Sequence, residues 1–333
     1  MQTKSERAVS APPRLMSAVI AGFNVVAGHI QLILFPVILD LFLWLGPHVG
    51  IKGVLQPWLD HWIQTVGEMG SPDMTSLMAS SKPFFQSFID NFNLLGMIRT
   101  WPIGVPSLMS SLNKSTTPFG SAAVNQISSV EPAVLTLLVI LLIGLGFGSI
   151  FFNLVAYFCA ERNFDITFTR RFTWGFFQTI TLTLLLLVVL MLISIPAIIV
   201  LSFVIMLSPG IAQIILLVMS FILLWLLLPF VFSPHGIFAY GLSALSSLLT
   251  SMRLVRGFLP GTGLFLVVIF LFSEGMNIFW RAASPDSWMT LVGIGGHAFI
   301  TTGLLAASFI YYQGGMRWMQ ESLKKMVSNA SKS

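Results

Sequence analysis

Charge is the scarcest property of this sequence. Only 9% of its 333 residues are Asp, Glu, Lys or Arg, whereas 56% are hydrophobic, and soluble proteins carry roughly 25% charged residues. A chain of this composition lacks the polar surface that a water-soluble globular protein needs, so that class is excluded. Most of the length lies in apolar segments, which leaves no stretch for a separate soluble catalytic domain of typical size.

Cysteine and the motifs of known catalytic chemistry are also nearly absent. Cys159 is the single cysteine, which excludes an internal disulfide and a multi-cysteine metal site. The five histidines have no metal-ligand spacing to one another, and the sequence contains no HExxH pair, GxSxG elbow or Walker loop. We therefore expect that the protein is not an enzyme and has no cofactor, metal site or nucleic-acid partner.

Long apolar runs are what the sequence has in abundance. A run of about 18 apolar residues is long enough to cross a hydrocarbon core of about 30 Å as a helix. The predicted fold class is therefore all-α, a polytopic transmembrane helix bundle of about six spans with both termini cytoplasmic. The predicted spans are residues 17–45, 133–159, 175–207, 211–232, 261–280 and 288–312.

The distribution of basic residues predicts the orientation of these spans. Most of the 17 lysines and arginines lie in the tails and in the loops that follow the second and fourth spans. By the positive-inside rule these segments are cytoplasmic. The chain is then a single integral membrane domain with cytoplasmic tails at 1–16 and 313–333, an extracytoplasmic region at 47–132 and a five-span bundle at 133–312. The expected location is the cell membrane, as a multi-pass protein of the bacterial cytoplasmic membrane.

Two segments outside the spans have helical periodicity. Within 47–132, the stretches WLDHWIQTV and SKPFFQSFIDNFNLLGMIRTW predict short interfacial helices, the second with an apolar face. Residues 237–258 predict an amphipathic helix on the inner leaflet, because leucines recur at helical spacing and Arg253 and Arg256 follow them. These arginines are candidate contacts to lipid phosphates. The alternative is a plain connector with ordinary cytoplasmic arginines.

Part of the chain resembles a known group of membrane proteins. The first span, with PVILDLFLWLGP, and the later stretch LLPFVFSPHGIFAYGLSALSSLLTSMRLVRG are similar to uncharacterised six-span bacterial membrane proteins. The later stretch is also similar to the membrane domain that precedes some glycerophosphodiester phosphodiesterases. This resemblance implies a six-helix membrane module. The soluble phosphodiesterase barrel is missing, so no hydrolase activity and no catalytic residue is implied.

A few polar residues lie inside the predicted spans and are candidates for an intramembrane polar site. Glu274 and His297 fall at similar depths in the last two spans, which only a short loop joins, so they are expected to pair, share a proton or bind a cation. Asn24 and Gln31 share one face of the first span and are candidates for the same polar cavity. The structural alternatives are a hydrogen bond that locks the last hairpin and a small-residue packing face.

Three functional hypotheses follow from these observations. The leading one is a non-enzymatic lipid-interacting or assembly module. Its expected partners are membrane lipids, together with a second membrane protein or another copy of the chain. The second is a small transporter or channel with a polar path through Glu274 and His297. The third is a lipid-modifying enzyme at the outer surface. It rests on acidic and histidine residues near the first span: Asp40, His48, Asp60 and His61.

Overall fold

The computed structural model describes residues 12–69, 72–111, 116–160 and 167–331. Most of the predicted tail 1–16 and the centre of the loop after the second span lie outside these ranges. Within them the chain is almost entirely helical, which confirms the all-α prediction. The helices are α1 (Leu15–Gly28), α2 (Leu34–Leu45), α3 (Lys52–Met69), α4 (Pro72–Asn91), α5 (Val130–Phe158), α6 (Phe168–Leu207), α7 (Pro209–Leu227), α8 (Ser233–Tyr240), α9 (Ala244–Gly257), α10 (Leu259–Trp280) and α11 (Thr290–Ala330).

The long apolar helices confirm a multi-pass membrane protein. Among the described residues, five segments are long and apolar enough to cross a membrane, and a sixth is counted if α1 and α2 form one broken span. The five are Val130–Phe158, Phe168–Ile205, Gly210–Tyr240, Leu259–Trp280 and Thr290–Ser328. The predicted number of about six spans therefore agrees with the helices of the structure.

The first predicted span is two helices rather than one. α1 ends at Gly28, and His29 has a non-helical backbone with φ −137° and ψ 60°. The break falls there and not at Pro36, the proline inside the predicted span. Pro36 occupies the first turn of α2, where the missing N–H of proline has no intrahelical partner to lose.

The chain divides into two compact units. The first unit comprises Met1–His29, Phe152–Leu271 and Gly303–Ser333, and the second comprises Ile30–Phe151 and Phe272–Thr302. The core of the first unit is built on aromatic side chains, with the rings of Phe265 and Tyr311 stacked at a centroid distance of 4.0 Å. Its buried members are Ala18, Phe232, Leu254, Val255, Phe265, Tyr311, Tyr312 and Met316.

Close backbone packing joins α1 to α11 within the first unit. A Cβ placed on Gly22 would meet the backbone atoms of Ala307 and Gly303. Ala18, Gly22 and Val26 are the buried residues of α1, at i, i+4 and i+8 spacing. The face predicted to pack, which carries Asn24, is a different one, and Asn24 itself is exposed. Helices approach each other most closely where their residues are smallest. The face of α1 that carries Gly22 is therefore the one that packs against α11.

The second unit holds the region between α2 and α5. Strand β1 (His48–Gly50) pairs in parallel with β4 (Val124–Gln126), and β2 (Thr116–Thr117) pairs antiparallel with β3 (Gly120–Ser121). Helices α3 and α4, which follow β1 in the chain, pack on each other as a hairpin. The indole N–H of Trp44 donates a 2.7 Å hydrogen bond to the carbonyl of Pro285. The buried core residues are Leu43, Trp44, Leu108, Met109 and Ile294.

Asp40 of α2 anchors the segment 107–109 of the second unit. Its carboxylate is fully buried and accepts hydrogen bonds from the Ser107 hydroxyl at 2.5 Å, the Leu108 N–H at 3.0 Å and the Met109 N–H at 2.9 Å. Three donors compensate for the burial of a carboxylate that would otherwise be costly. The 3₁₀ turn Met109–Ser111 begins at this carboxylate, which acts as an N-cap from a distant part of the chain.

The predicted helix 237–258 is two helices in the structure. α8 ends at Tyr240 and is capped by Gly241, whose φ of +67° lies in the left-handed region that favours glycine. α9 begins after Ser243, the side chain of which accepts a hydrogen bond from the Ser246 N–H. The predicted tail 313–333 is also helical for most of its length, because α11 runs without a break to Ala330.

Candidate functional site

The first unit contains a cavity of about 170 Å³ where four helical segments meet. Its walls come from α6, the end of α7 with the turn that follows, the end of α9 and the start of α10. An apolar cavity of about 150 Å³ is large enough to hold a benzene ring, so this one accommodates a short length of hydrocarbon chain. The lining residues are Val189, Ile193, Trp225, Leu226, Pro229, Phe230, Met252, Arg256 and Leu259.

Serine hydrogen bonds fix the position of α9 at this cavity. The hydroxyl of Ser247 donates to the carbonyl of Ser233 at 2.5 Å. The hydroxyl of Ser251 donates to the carbonyl of Pro229 at 2.7 Å and accepts from the N–H of Phe232 at 3.1 Å. Both serines are fully buried. These bonds hold one face of α9 against the chain before it, so the rotation of the helix is set by contacts within the unit.

The opposite face of α9 is apolar and exposed, and it leads into the cavity. Leu245 and Leu249 are 56% and 42% exposed, and Met252 and Arg256 line the cavity. Their spacing of four, three and four residues places all four side chains on one stripe of the helix. The sequence predicts an apolar stripe that includes Leu248, but Leu248 is buried in the unit. The exposed stripe therefore consists of Leu245, Leu249, Met252 and Arg256.

Helices α6 and α7 form walls of the cavity, and much of their remaining surface is exposed on the outside of the protein. In the most apolar window of Gly210–Tyr240 no residue is buried inside the protein, and in that of Phe168–Ile205 only 6% are. α6 has 40 residues, which gives a length of about 60 Å, twice a hydrocarbon core. Its first half packs on α8 and α9, as shown by the 2.8 Å bond from the Ala244 N–H to Gln178. Its second half pairs with α7.

Arg256 is the one charged side chain among the residues that line the cavity. Within the described part of the chain, neither Arg256 nor Arg253 forms an ion pair or a side-chain hydrogen bond. Arg253 is exposed on α9 and is not a lining residue. Of the two arginines that the sequence singles out, the structure therefore places one at the cavity. A free guanidinium beside an apolar cavity is suited to a phosphate attached to a hydrocarbon chain.

The second unit contains a chain of three polar side chains. Asn277 donates from Nδ2 to the Glu274 carboxylate at 3.3 Å, and its Oδ1 lies 2.8 Å from His297 Nδ1. Since this oxygen only accepts, the imidazole carries its proton on Nδ1 and leaves a lone pair on Nε2. Nε2 is buried and has no hydrogen-bond partner among the described residues. Glu274 and His297 are thus connected through Asn277.

The remaining residues of the predicted polar site are exposed. Asn24 lies in the first unit and Gln31 in the second, and both side chains are on the surface of the protein. Glu274 is also exposed, whereas Asn277 and His297 are buried. The prediction of a cavity lined by Asn24, Gln31, Glu274 and His297 stays a prediction. The buried partner of His297 is an amide one turn beyond the expected carboxylate.

The residues of the enzyme hypothesis each have separate surroundings. Asp40 binds the Ser107–Met109 segment, and His48 Nε2 lies 3.3 Å from the Leu43 carbonyl. Asp60 accepts a hydrogen bond from Gln56, and the side chain of His61 is exposed. Within the described ranges these four residues share no hydrogen bond or ion pair.

Several residues of the cavity are missed by sequence reasoning. Val189, Ile193 and Trp225 come from two apolar helices in which they look like their neighbours. Their role at the cavity depends on where α6 and α7 meet α9. No local pattern in the sequence marks them.

Comparison of the chain with protein-family models, with curated proteins and with solved structures finds no match. The resemblance to six-span bacterial membrane proteins therefore stays a prediction.

Proposed function

We propose that the protein is a non-enzymatic lipid-interacting protein that holds an anionic phospholipid at the cavity beside α9. The observation that carries this proposal is the position of Arg256, a free cation at an apolar cavity whose outer walls are unburied spans. In this arrangement the acyl chain occupies the cavity and the phosphate contacts the guanidinium.

The position of the cavity along the helices supports this assignment. Leu259 begins α10, Leu226 lies at the end of α7, and Pro229 lies in the turn that follows α7. Because the cavity lies beside the end of α7 and the start of α10, we place it at the depth at which a lipid headgroup meets its acyl chains. With the orientation predicted by the positive-inside rule, this level belongs to the inner leaflet. That leaflet is rich in anionic lipids, and each basic residue near its surface contributes about 1 kcal/mol of attraction.

The exposed stripe of α9 extends the same contact. Leu245 and Leu249 are directed away from the unit, so an α9 lying on the inner leaflet places them among acyl chains. Arg253 then contributes nonspecific attraction to phosphates, whereas Arg256 forms the defined contact. This difference gives the experiment its matched control.

Native mass spectrometry of the full chain, purified with phosphatidylglycerol, tests the proposal. A hydrogen bond to a charged group contributes about 1.5–3 kcal/mol, so Arg256→Gln is expected to reduce the retained phospholipid about tenfold. Arg253→Gln is expected to reduce it far less. Met252→Trp, which fills the cavity, should displace the lipid, whereas Leu245→Trp on the same stripe should not. Equal lipid retention in wild type, Arg256→Gln and Met252→Trp would falsify the proposal.

A transporter or channel is the second candidate, and the Glu274–Asn277–His297 chain favours it. The carboxylate of Glu274 is joined through the amide of Asn277 to the buried imidazole of His297. Such a group of side chains can bind a proton or a cation. In proteoliposomes with a pH-sensitive dye inside, Asn277→Ala is then expected to abolish a proton flux that wild type supports. Gln64→Ala, at an exposed glutamine of the same unit, is the control. Identical flux in wild type, Asn277→Ala and empty liposomes excludes this candidate.

A further inference from the structure

The helical hairpin of α3 and α4 has a polar edge. The amides of Gln56 and Gln86 exchange hydrogen bonds of 3.1 and 2.8 Å between the two helices. One turn away along each helix, the ammonium of Lys52 lies 2.7 Å from the carboxylate of Asp90. Because these residues stand four apart on their helices, all of them occupy one edge of the hairpin.

The opposite edge of the hairpin is aromatic and exposed. Trp58 and Phe84 are 65% and 70% exposed, and Trp62 and Phe88 are 36% and 42% exposed. The rings of Trp58 and Trp62 stack at 6.1 Å. Trp62 also reaches across to Phe85 of α4 at 6.0 Å, so the rings of both helices form one continuous surface. We refer to Trp58, Trp62, Phe84 and Phe88 as the aromatic edge.

Buried residues between the edges show that the two faces are opposed. Leu59 and Ile89 are 2% and 6% exposed and lie on the sides along which the helices meet. Gln56 and Trp58 differ by two residues on α3, which is a rotation of about 200°. Gln86 and Phe88 have the same separation on α4. The hairpin is therefore amphipathic across its width, with one water-compatible edge and one apolar edge.

The base of the hairpin is held next to the ends of two membrane helices. α2 ends at Leu45, and β1 follows it and pairs with β4 just before α5 begins. Asn93, beyond the end of α4, accepts a hydrogen bond from the N–H of Val49 in β1 at 3.0 Å. Lys52 follows Leu45 by seven positions, a distance of at most about 25 Å. Both ends of the hairpin are thus held near the end of α2 and the start of α5.

We propose that the aromatic edge docks onto the bilayer, at the headgroup level of the leaflet where α2 ends and α5 begins. Tryptophan and phenylalanine suit this level, because their rings are apolar and indole also hydrogen-bonds at the wet boundary. The occupant is lipid rather than a second protein. The base of the hairpin is tied to the segments that follow α2 and precede α5, two apolar helices, and the charged Lys52–Asp90 pair lies on the edge that remains in water. The hairpin then acts as an interfacial anchor, independent of the cavity at α9.

Spin-label accessibility on the full chain in nanodiscs of phosphatidylcholine and phosphatidylglycerol tests this inference. Single cysteines replace Phe84 and Trp62 on the aromatic edge, and Lys82 and Gln64 two residues away as controls. The native Cys159 is buried and is kept. Labels at Phe84→Cys and Trp62→Cys are expected to be more accessible to oxygen than to a water-soluble nickel complex, and labels at the two control positions the reverse.

Two outcomes overturn the inference. Nickel accessibility at Phe84→Cys equal to that at Gln64→Cys would place the aromatic edge in water. Protection of Phe84→Cys from both reagents would place a protein surface there instead of lipid.

A second measurement avoids cysteine variants altogether: lipids brominated near the headgroup should quench a smaller share of the tryptophan fluorescence in a Trp58→Phe, Trp62→Phe double variant than in wild type. An unchanged share would contradict lipid contact.

Discussion

The hydroxyl of Ser107 lies 2.5 Å from the carboxylate of Asp40, a residue 67 positions earlier in the chain. Together with the N–H groups of Leu108 and Met109, it forms a complete set of donors around one buried carboxylate. The contact ties the segment 107–109 to α2, the helix that contains Asp40. Asp40 thus has a structural role that its position near the end of a predicted span does not reveal.

Replacement of Asp40 is expected to destabilise the protein strongly. Asp40→Ala removes the acceptor that the Ser107 hydroxyl and two backbone N–H groups share, and each buried hydrogen-bonding group that loses its partner costs about 1–3 kcal/mol. We expect the free energy of unfolding in detergent to fall by at least about 3 kcal/mol. Asp60→Ala, which removes an exposed carboxylate of the same unit, should change it by less than about 0.5 kcal/mol. Similar effects of the two variants would contradict the anchoring role.

Asn277 is expected to matter more for stability than Glu274 does. Asn277→Ala removes the partner of the buried His297 Nδ1, and an unsatisfied group of this kind costs about 1–3 kcal/mol. Glu274→Gln keeps an acceptor for the 3.3 Å bond at an exposed position, so its effect should be within about 0.5 kcal/mol. Denaturant titration of both variants checks this order. A larger loss in Glu274→Gln would show that the carboxylate, not the amide, supports His297.

Gly22 and Gly28 form a matched pair for helix packing in α1. A Cβ at Gly22 meets the backbone of α11, whereas a Cβ at Gly28 meets nothing within 4 Å. Backbone atoms cannot move aside as a side chain can, so Gly22→Ala is expected to cost about 1–3 kcal/mol, as overpacking does. Gly28→Ala should be neutral or slightly stabilising, because alanine is the better helix former. Thermal unfolding of both variants decides, and equal melting temperatures would refute close packing at Gly22.

The Lys52–Asp90 pair should give the hairpin of α3 and α4 a small, pH-dependent stabilisation. The ammonium lowers the pKa of Asp90 below its usual 3.8. A carboxyl whose pKa is lower in the folded state stabilises the fold above the unfolded-state pKa, and this contribution is lost as the pH falls through the folded-state pKa.

Both side chains of this pair are largely exposed, so the stabilisation should stay below about 1 kcal/mol. The difference in melting temperature between wild type and Asp90→Asn should accordingly be small at pH 7 and vanish near pH 2, with Asp60→Asn as the control. A difference that persists unchanged at low pH would rule out a charge-based origin.

Much of the candidate site depends on contacts that no local pattern contains. The sequence places Arg253 and Arg256 on one amphipathic segment, and both satisfy the same spacing rules. The structure separates them, because hydrogen bonds from Ser247 and Ser251 fix the rotation of α9. Similarly, the sequence predicts a direct pair of Glu274 and His297, whereas in the structure Asn277 hydrogen-bonds to both of them. Helical rise predicts depth along an axis, whereas side-chain pairing depends on rotation about it.

By itself, the sequence determined the class of the protein: an all-α chain whose long apolar runs make it a multi-pass membrane protein. The reason is general, since a helix of apolar residues satisfies its own backbone and needs only lipid around it. Which face of α1 packs, where the first span breaks, which donors meet Asp40 and which arginine reaches the cavity were decided by the tertiary structure. Those outcomes depend on small differences in packing and hydrogen bonding among distant segments, and a one-dimensional pattern of apolar residues does not record them.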